Sequence, residues 1–149
     1  MAKTIEVFRG DYAFLSNFYP AVITLDDMDH ATVEHAFQAA KTLIEEERRQ
    51  IQLAPSPEAA KRLGQQVTLR PDWEKVKYGI MESLVRQKFT YHSYLRKLLL
   101  DTGDAILIEG NNWGDRIWGM TRNEAGELVG NNWLGKILMD VRDELKKER

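Results

Sequence analysis

Thr32-Val33-Glu34-His35-Ala36-Phe37-Gln38-Ala39-Ala40-Lys41 decides the fold, because it reads as the start of a helix that the rest of the chain is arranged to present. Thr32 is suited to the N-cap, where its hydroxyl takes up one of the unpaired amides of the first turn. Val33, Ala36, Phe37, Ala40 and Ile44 recur at the spacing of a buried helical stripe. Glu34, Gln38, Lys41 and Glu45 form a second stripe along the edge of the first, where core meets solvent, as in a cleft wall. Glu34 falls in the first turn, where the helix dipole favours an ionised carboxylate. The plainer reading is an amphipathic helix with Glu34 and Lys41 as solvated flank charges, and the stretch by itself favours that reading.

Outward from this helix, composition narrows the classes. The chain has 149 residues, 43% of them hydrophobic, which suits one compact domain over 1–149. Lys and Arg number 21 against 23 Asp and Glu, a formal net charge of -2, so there is no global basic field for holding duplex nucleic acid. A phosphate-bearing partner requires a local cluster. Cysteine is absent, which excludes disulfides, thiolate nucleophiles and cysteine metal sites. Met1 to Glu6 lacks a signal peptide's apolar core and no run is long enough to span a bilayer, so the expectation is a cytoplasmic protein without membrane contact.

In chain order, Thr4 to Phe8 reads as a strand, and Asp11 to Pro20 as an aromatic loop in which Asn17 is a candidate ligand contact. Ala21 to Leu25 reads as a second strand, followed by an acidic turn over Asp26-Asp27-Met28-Asp29 that lacks the spacing of a calcium loop. The first helix is expected to continue to about Leu53, with His35 on its outward side as a solvated imidazole. Ser56-Pro57 to Lys61-Arg62-Leu63-Gly64 carries the start and stop signals of a short helix. Longer helices follow from Trp73 to about Lys88 and from Tyr91 to Leu100, the latter stopping at Gly103. Ala105 to Glu109 reads as a buried strand that delivers the loop Gly110-Asn111-Asn112-Trp113-Gly114-Asp115-Arg116-Ile117-Trp118-Gly119. Asn123 to Glu127 resembles a hairpin turn, and Asn131 or Asn132 caps a last amphipathic helix. The class is α+β, mainly helical with a few short strands.

The residues exclude several chemistries. There is no nucleophile elbow at Ser16 or Ser56, no zinc spacing among His30, His35 and His92, no phosphate loop and no dinucleotide fingerprint. No metal and no cofactor is called for. Carboxylate chemistry remains: Glu34 and Asp115, if they converge with tryptophans and cations, suit the breaking of a glycosidic bond through a cationic sugar. Tryptophans can stack a planar leaving group, at about 1 to 3 kcal/mol each. Lys41, Lys77 and Lys88 are candidates for a phosphate.

Leu15-Ser16-Asn17-Phe18, Glu34-His35-x-Phe37-Gln38-x-x-Lys41, Ala60-x-x-Leu63-Gly64, Trp73-x-x-Val76-Lys77, Lys88-Phe89, Glu109, Trp113-Gly114-Asp115 and Asn132-x-Leu134-Gly135 together resemble the NADAR superfamily, including its YbiA-type N-glycosidases. The resemblance implies an α+β fold and metal-free hydrolysis of an N-glycosidic bond between a ribose phosphate and a base-like amine. In one branch the substrates are riboflavin-pathway phosphoribosylamino-pyrimidines; others remove ADP-ribose from guanine in modified nucleic acid or act around NAD metabolism. It implies Glu34 and Asp115 as the acids, Trp113 as the aromatic partner, and Asn17, Lys41, Lys77 and Asn132 as polar site residues. Between Trp118 and Asn131 the sequence differs from the glycine-rich segment of the YbiA branch.

The resulting expectation is an N-glycosidase acting on a small phosphoribosyl or ADP-ribosyl glycoside. Glu34 stabilises the sugar cation and orients water, and Asp115 positions water or protonates the departing nitrogen. Trp113 and Trp118 enclose the base, and Arg9, Lys41 and Lys77 hold the phosphate. The competing expectations are a non-catalytic nucleotide or ADP-ribose sensor, and a helical interaction protein in which Trp113, Trp118 and Trp133 are core.

Overall fold

The computed structural model of the protein describes residues 3–148, and its class is α+β, mainly helical with short strands. Two compact units divide the chain, one assembled from Met1–Ser16 and Phe89–Arg149, the other from Asn17–Lys88.

The second unit is built around α1, Val33–Ala40. Thr32 caps it as expected, its hydroxyl accepting from the His35 amide at 3.0 Å. The amphipathic reading does not hold, because all eight residues of α1 are buried. Strands β2 (Ile23–Leu25) and β3 (Met28–His30) and helices α2 (Glu45–Gln52) and α3 (Pro57–Gly64) all pack on it. Small side chains at Ala36, Ala39 and Ala40, each fully buried, allow these neighbours to approach. Phe37 packs against Trp73 with ring centroids 5.0 Å apart, and burying such a ring contributes about 2 to 3 kcal/mol.

The first helix does not run on to Leu53. It ends at Ala40, and α2 begins at Glu45. Thr42 holds the break: its hydroxyl accepts from the Ile44 amide at 3.1 Å and donates to Glu47, while its carbonyl accepts from Arg48 Nε at 2.8 Å. The acidic turn is a two-residue hairpin loop joining β2 to β3, with Asp26 and Asp27 at φ of 48° and 67°. Positive φ at both central residues matches the right-handed twist of the strands, and Asp tolerates it. Helix α3 starts as read, with Ser56 accepting from the Ala59 amide and Pro57 at the first position. Helix α4 spans Trp73–Tyr91, its residues up to Lys88 belonging to this unit.

In the first unit, β1 (Thr4–Ile5) pairs in parallel with β4 (Ile106–Leu107), so the expected strands at Thr4–Phe8 and Ala105–Glu109 are each only two residues long. The aromatic loop begins as a 3-10 helix over Gly10–Leu15 that buries Phe14 and Leu15. Helix α5 (Ser93–Asp101) ends before Gly103, which adopts the expected left-handed φ of 66°. A hairpin joins β5 (Thr121–Arg122) to β6 (Leu128–Val129) with Gly126 in its turn. Helix α6 (Trp133–Lys147) buries Leu134, Ile137, Leu138, Val141 and Leu145, the stripe read from the sequence. Among the described residues no helix is long and apolar enough to cross a membrane.

Candidate functional site

Glu34 is the acid that the fold treats most unusually. It stands in the first turn of α1, its own amide donating to the Asn17 carbonyl at 3.1 Å, and only 8% of it is exposed. Its Oε2 accepts from Gln38 Nε2 at 2.6 Å, one turn on along the same helix. Burial pushes the carboxyl above the usual carboxylate range, against the opposing pull of Gln38, Lys61 and Lys41. Lys41 is half-buried just beyond α1, and burial lowers its pKa; Glu34 raises it, while Lys61 and Lys77 lower it further. One acid and three lysines therefore share an electrostatic neighbourhood within this unit. A buried acid acted on by several cations is the pattern that marks a candidate site.

Nothing in the sequence marks Lys61 as a site residue. Its place in the last turn of α3 reads there as a favourable dipole contact, and only the packing of α3 on α1 brings it towards Glu34. Lys77 donates to Glu74 at 2.7 Å. Lys88 is 1% exposed with its ammonium 5.7 Å from the centre of the Tyr19 ring, and burial brings its pKa down to about 7. The Asn17 side chain reaches the Met81 sulfur at 3.5 Å. His35 is not the solvated imidazole expected but 1% exposed. Its Nδ1 lies 2.8 Å from the Thr32 hydroxyl and its Nε2 3.1 Å from the Ala54 carbonyl, a pattern satisfied when Nε2 carries the proton. Complete enclosure of α1 leaves its outward side without solvent.

Asp115 lies in the first unit, on the loop between β4 and β5. Its Oδ1 accepts from the amides of Ile117 at 3.0 Å and Trp118 at 2.9 Å. Its own amide donates to Asn111 Oδ1 at 3.0 Å, and Asn111 Nδ2 donates back to the Asp115 carbonyl at 2.9 Å. This double clasp ties the glycine-rich loop back on itself. The carbonyls of Arg116, Ile117, Trp118 and Gly119 then accept from the amides of Asn131, Trp133, Leu134 and Asn132, which puts backbone acceptors on the start of α6. Trp113 is 56% exposed, and Trp118 packs edge-on against Trp133 with centroids 5.4 Å apart.

Asn132 stands at the N-cap position but makes no capping hydrogen bond. Its Oδ1 accepts from the Glu109 amide and its Nδ2 donates to the Leu107 carbonyl, both at 3.0 Å, so its carboxamide is engaged by backbone. Arg9 lines a cleft of about 240 Å³ in the first unit with Asn112, Glu6 and Arg122, the last two paired at 3.3 Å.

Comparison with known proteins places this geometry in a family. The NADAR domain model matches residues 7–146, and the chain belongs to that family. It is 43% identical over 140 residues to N-glycosidase Npun_R5314 of Nostoc punctiforme, covering 91% of this chain and 86% of that one. It is 40% identical over 141 residues to N-glycosidase YbiA of Escherichia coli, covering 93% and 85%. The NMR structure of the Escherichia coli YbiA protein superimposes with a TM-score of 0.81 at 38% identity, over 99% of this chain and 88% of that one. The Riboflavin biosynthesis protein VVA0006 of Vibrio vulnificus is 36% identical over 153 residues, which span 99% of this chain and 40% of that one.

Proposed function

We propose that the chain is an N-glycosidase, a hydrolase of the bond between a sugar and a base-like nitrogen. The observation that carries this reading is the buried Glu34 carboxylate, held by Gln38 and within the electrostatic influence of Lys41 and Lys61. The names of the relatives in Nostoc punctiforme and Escherichia coli support it. In this reaction water adds to the anomeric carbon and the electron pair of the carbon–nitrogen bond leaves with the nitrogen, which takes up a proton. Positive charge grows on the sugar as that bond stretches, and a buried carboxylate already fixed in place stabilises it more than water does. Burial also makes Glu34 a stronger base than a surface carboxylate, which suits it to draw the proton from the attacking water. The neighbouring lysines oppose the effect of burial on the acid and supply the charge for a substrate phosphate.

The substrate class is a ribose phosphate joined to an aminopyrimidine. The likeness to a protein named for riboflavin biosynthesis supports that choice over an ADP-ribosylated guanine. The test is incubation with a phosphoribosylamino-pyrimidine and, separately, with ADP-ribosylated guanine in DNA, followed by assay of free sugar phosphate or free ADP-ribose. Glu34→Gln keeps an oxygen to accept from Gln38 Nε2 and removes the charge. It is expected to fold as the parent and to lose roughly a hundredfold or more of turnover. Release of neither product by the folded parent protein refutes hydrolysis of these glycosides; intact recovery of tightly bound ligand would instead mark a sensor. Full activity in Glu34→Gln removes that residue from the reaction.

A further inference from the structure

Gln38 and Gly64 meet where α1 packs on α3, and their contact has a direct effect on Glu34. The carboxamide of Gln38 points Nε2 at the Glu34 carboxylate, 2.6 Å away. The other end, Oε1, is buried and has no hydrogen-bond partner among the described residues. A Cβ placed on Gly64 would fall 1.9 Å from that oxygen, 2.7 Å from Gln38 Cδ and 3.0 Å from Gln38 Cβ. The hydrogen that glycine carries in place of Cβ faces Oε1, a weak contact that only this residue type can offer. Gly64 is not among the positive-φ glycines, so a left-handed helix stop does not explain it. The space it leaves does.

We propose that Gln38 and Gly64 are positioning residues for Glu34: the missing side chain at 64 leaves the room in which the Gln38 carboxamide stands and grips the carboxylate. Any side chain at 64 forces the end of Gln38 to swing, and the swing takes Nε2 off Glu34. Gln38 is 4% exposed inside a fully buried helix, so few other rotamers are open to it. The functional half of this inference rests on the N-glycosidase reading; the geometric half does not.

The test is Gly64→Ala, with Gln38→Ala and the double variant Gln38→Ala/Gly64→Ala, each read by two measurements. The first is the carboxyl titration of Glu34 followed by NMR. Hydrogen bonding from Gln38 favours the ionised acid, so its loss moves the titration to higher pH in both single variants. Lys61 on α3 and Lys41 just beyond α1, the other charged groups that act on Glu34, carry no substitution in any variant. In the double variant truncation removes the Gln38 Oε1 and Cδ clashes and leaves only its Cβ 3.0 Å from the new methyl group, a contact relieved by a shift of a few tenths of an ångström, so the titration matches that of Gln38→Ala. The second measurement is turnover, expected to fall by roughly a hundredfold in Gly64→Ala because the carboxylate is no longer aimed, with the acid limb of the pH profile moved to higher pH.

Should Gly64→Ala fail to fold while the double variant folds, the same clash is shown by other means. A Gly64→Ala protein whose Glu34 titrates as in the parent overturns the proposal, as does a double variant shifted well beyond Gln38→Ala. If the parent hydrolyses no glycoside, the enzymatic reading fails by itself, and the titration still decides whether the pair positions Glu34.

Discussion

Replacing Asn132 with Ala tests the assignment of this residue to structure instead of to ligand. Two hydrogen bonds of 3.0 Å disappear, leaving the Glu109 amide and the carbonyl of the fully buried Leu107 without their partner. An unpaired buried backbone group costs about 1 to 3 kcal/mol, and the half-buried Glu109 amide recovers part of its share from water. Asn132 also sits at φ 52°, which costs an alanine roughly 1 kcal/mol more than asparagine or glycine. The expected destabilisation is about 3 to 5 kcal/mol, or a fall of roughly 10 °C in melting temperature for a chain of this length. Asn132→Gly keeps the backbone conformation and loses the bonds, so it should recover about 1 kcal/mol of the loss. Asn132→Asp keeps the acceptor for Glu109 but turns a second oxygen on the Leu107 carbonyl, and should also destabilise. Urea unfolding followed by circular dichroism measures each difference. A change below about 0.5 kcal/mol in Asn132→Ala, within the range of an ordinary surface substitution, would refute the account, the more so if turnover fell while stability stayed.

Lys88 gives a pH dependence of definite sign. With its pKa lowered from 10.5 to about 7, the native ammonium gives up its proton above pH 7 while the unfolded chain keeps it to about 10.5. The unfolded state then binds more protons, so the stability of the parent relative to Lys88→Met rises from pH 7 towards 10, by at most on the order of 5 kcal/mol. Urea unfolding of both proteins at pH 6.5 and 9.5 checks it, and a difference independent of pH rules it out. Asp115 separates position from charge. Asp115→Ala should loosen the loop and lower the melting temperature because the Ile117 and Trp118 amides lose their acceptor. Asp115→Asn keeps that acceptor and should melt within about 2 °C of the parent while losing turnover; retained turnover in the asparagine variant removes this acid from the chemistry.

Where the sequence was informative, the signals were local. Thr32 and Ser56 mark helix starts because a hydroxyl satisfies an amide two or three residues ahead. Gly103 and Gly126 mark stops and turns because glycine adopts their positive φ values without the Cβ penalty most residues meet. The stripe of α6 is legible because that helix has one buried face. The α1 stretch misleads for the opposite reason. A helix enclosed by two other helices and a hairpin has no solvent side, so the period that separates inside from outside carries no information about Glu34, His35 or Gln38.

The same enclosure explains why the candidate site was only half legible. Glu34 and Lys41 stand out because a carboxylate and an amine on one stripe, two helical turns apart, are visible in one segment. Lys61 and Gly64 do not, since their partners lie more than twenty residues earlier and only the packing of α3 on α1 introduces them. Asn132 shows the complementary error: an asparagine just before an apolar helix looks like a cap, yet its amide bridges two backbone groups of the β4 segment, and loop carbonyls take the amides it was expected to serve. A polar residue in a motif is therefore ambiguous until its hydrogen bonds are counted. Asn132 has both ends of its carboxamide engaged by backbone, whereas Gln38 has one end on the acid and the other against a glycine. Of the two amides, the second is the one whose loss reaches the carboxylate first.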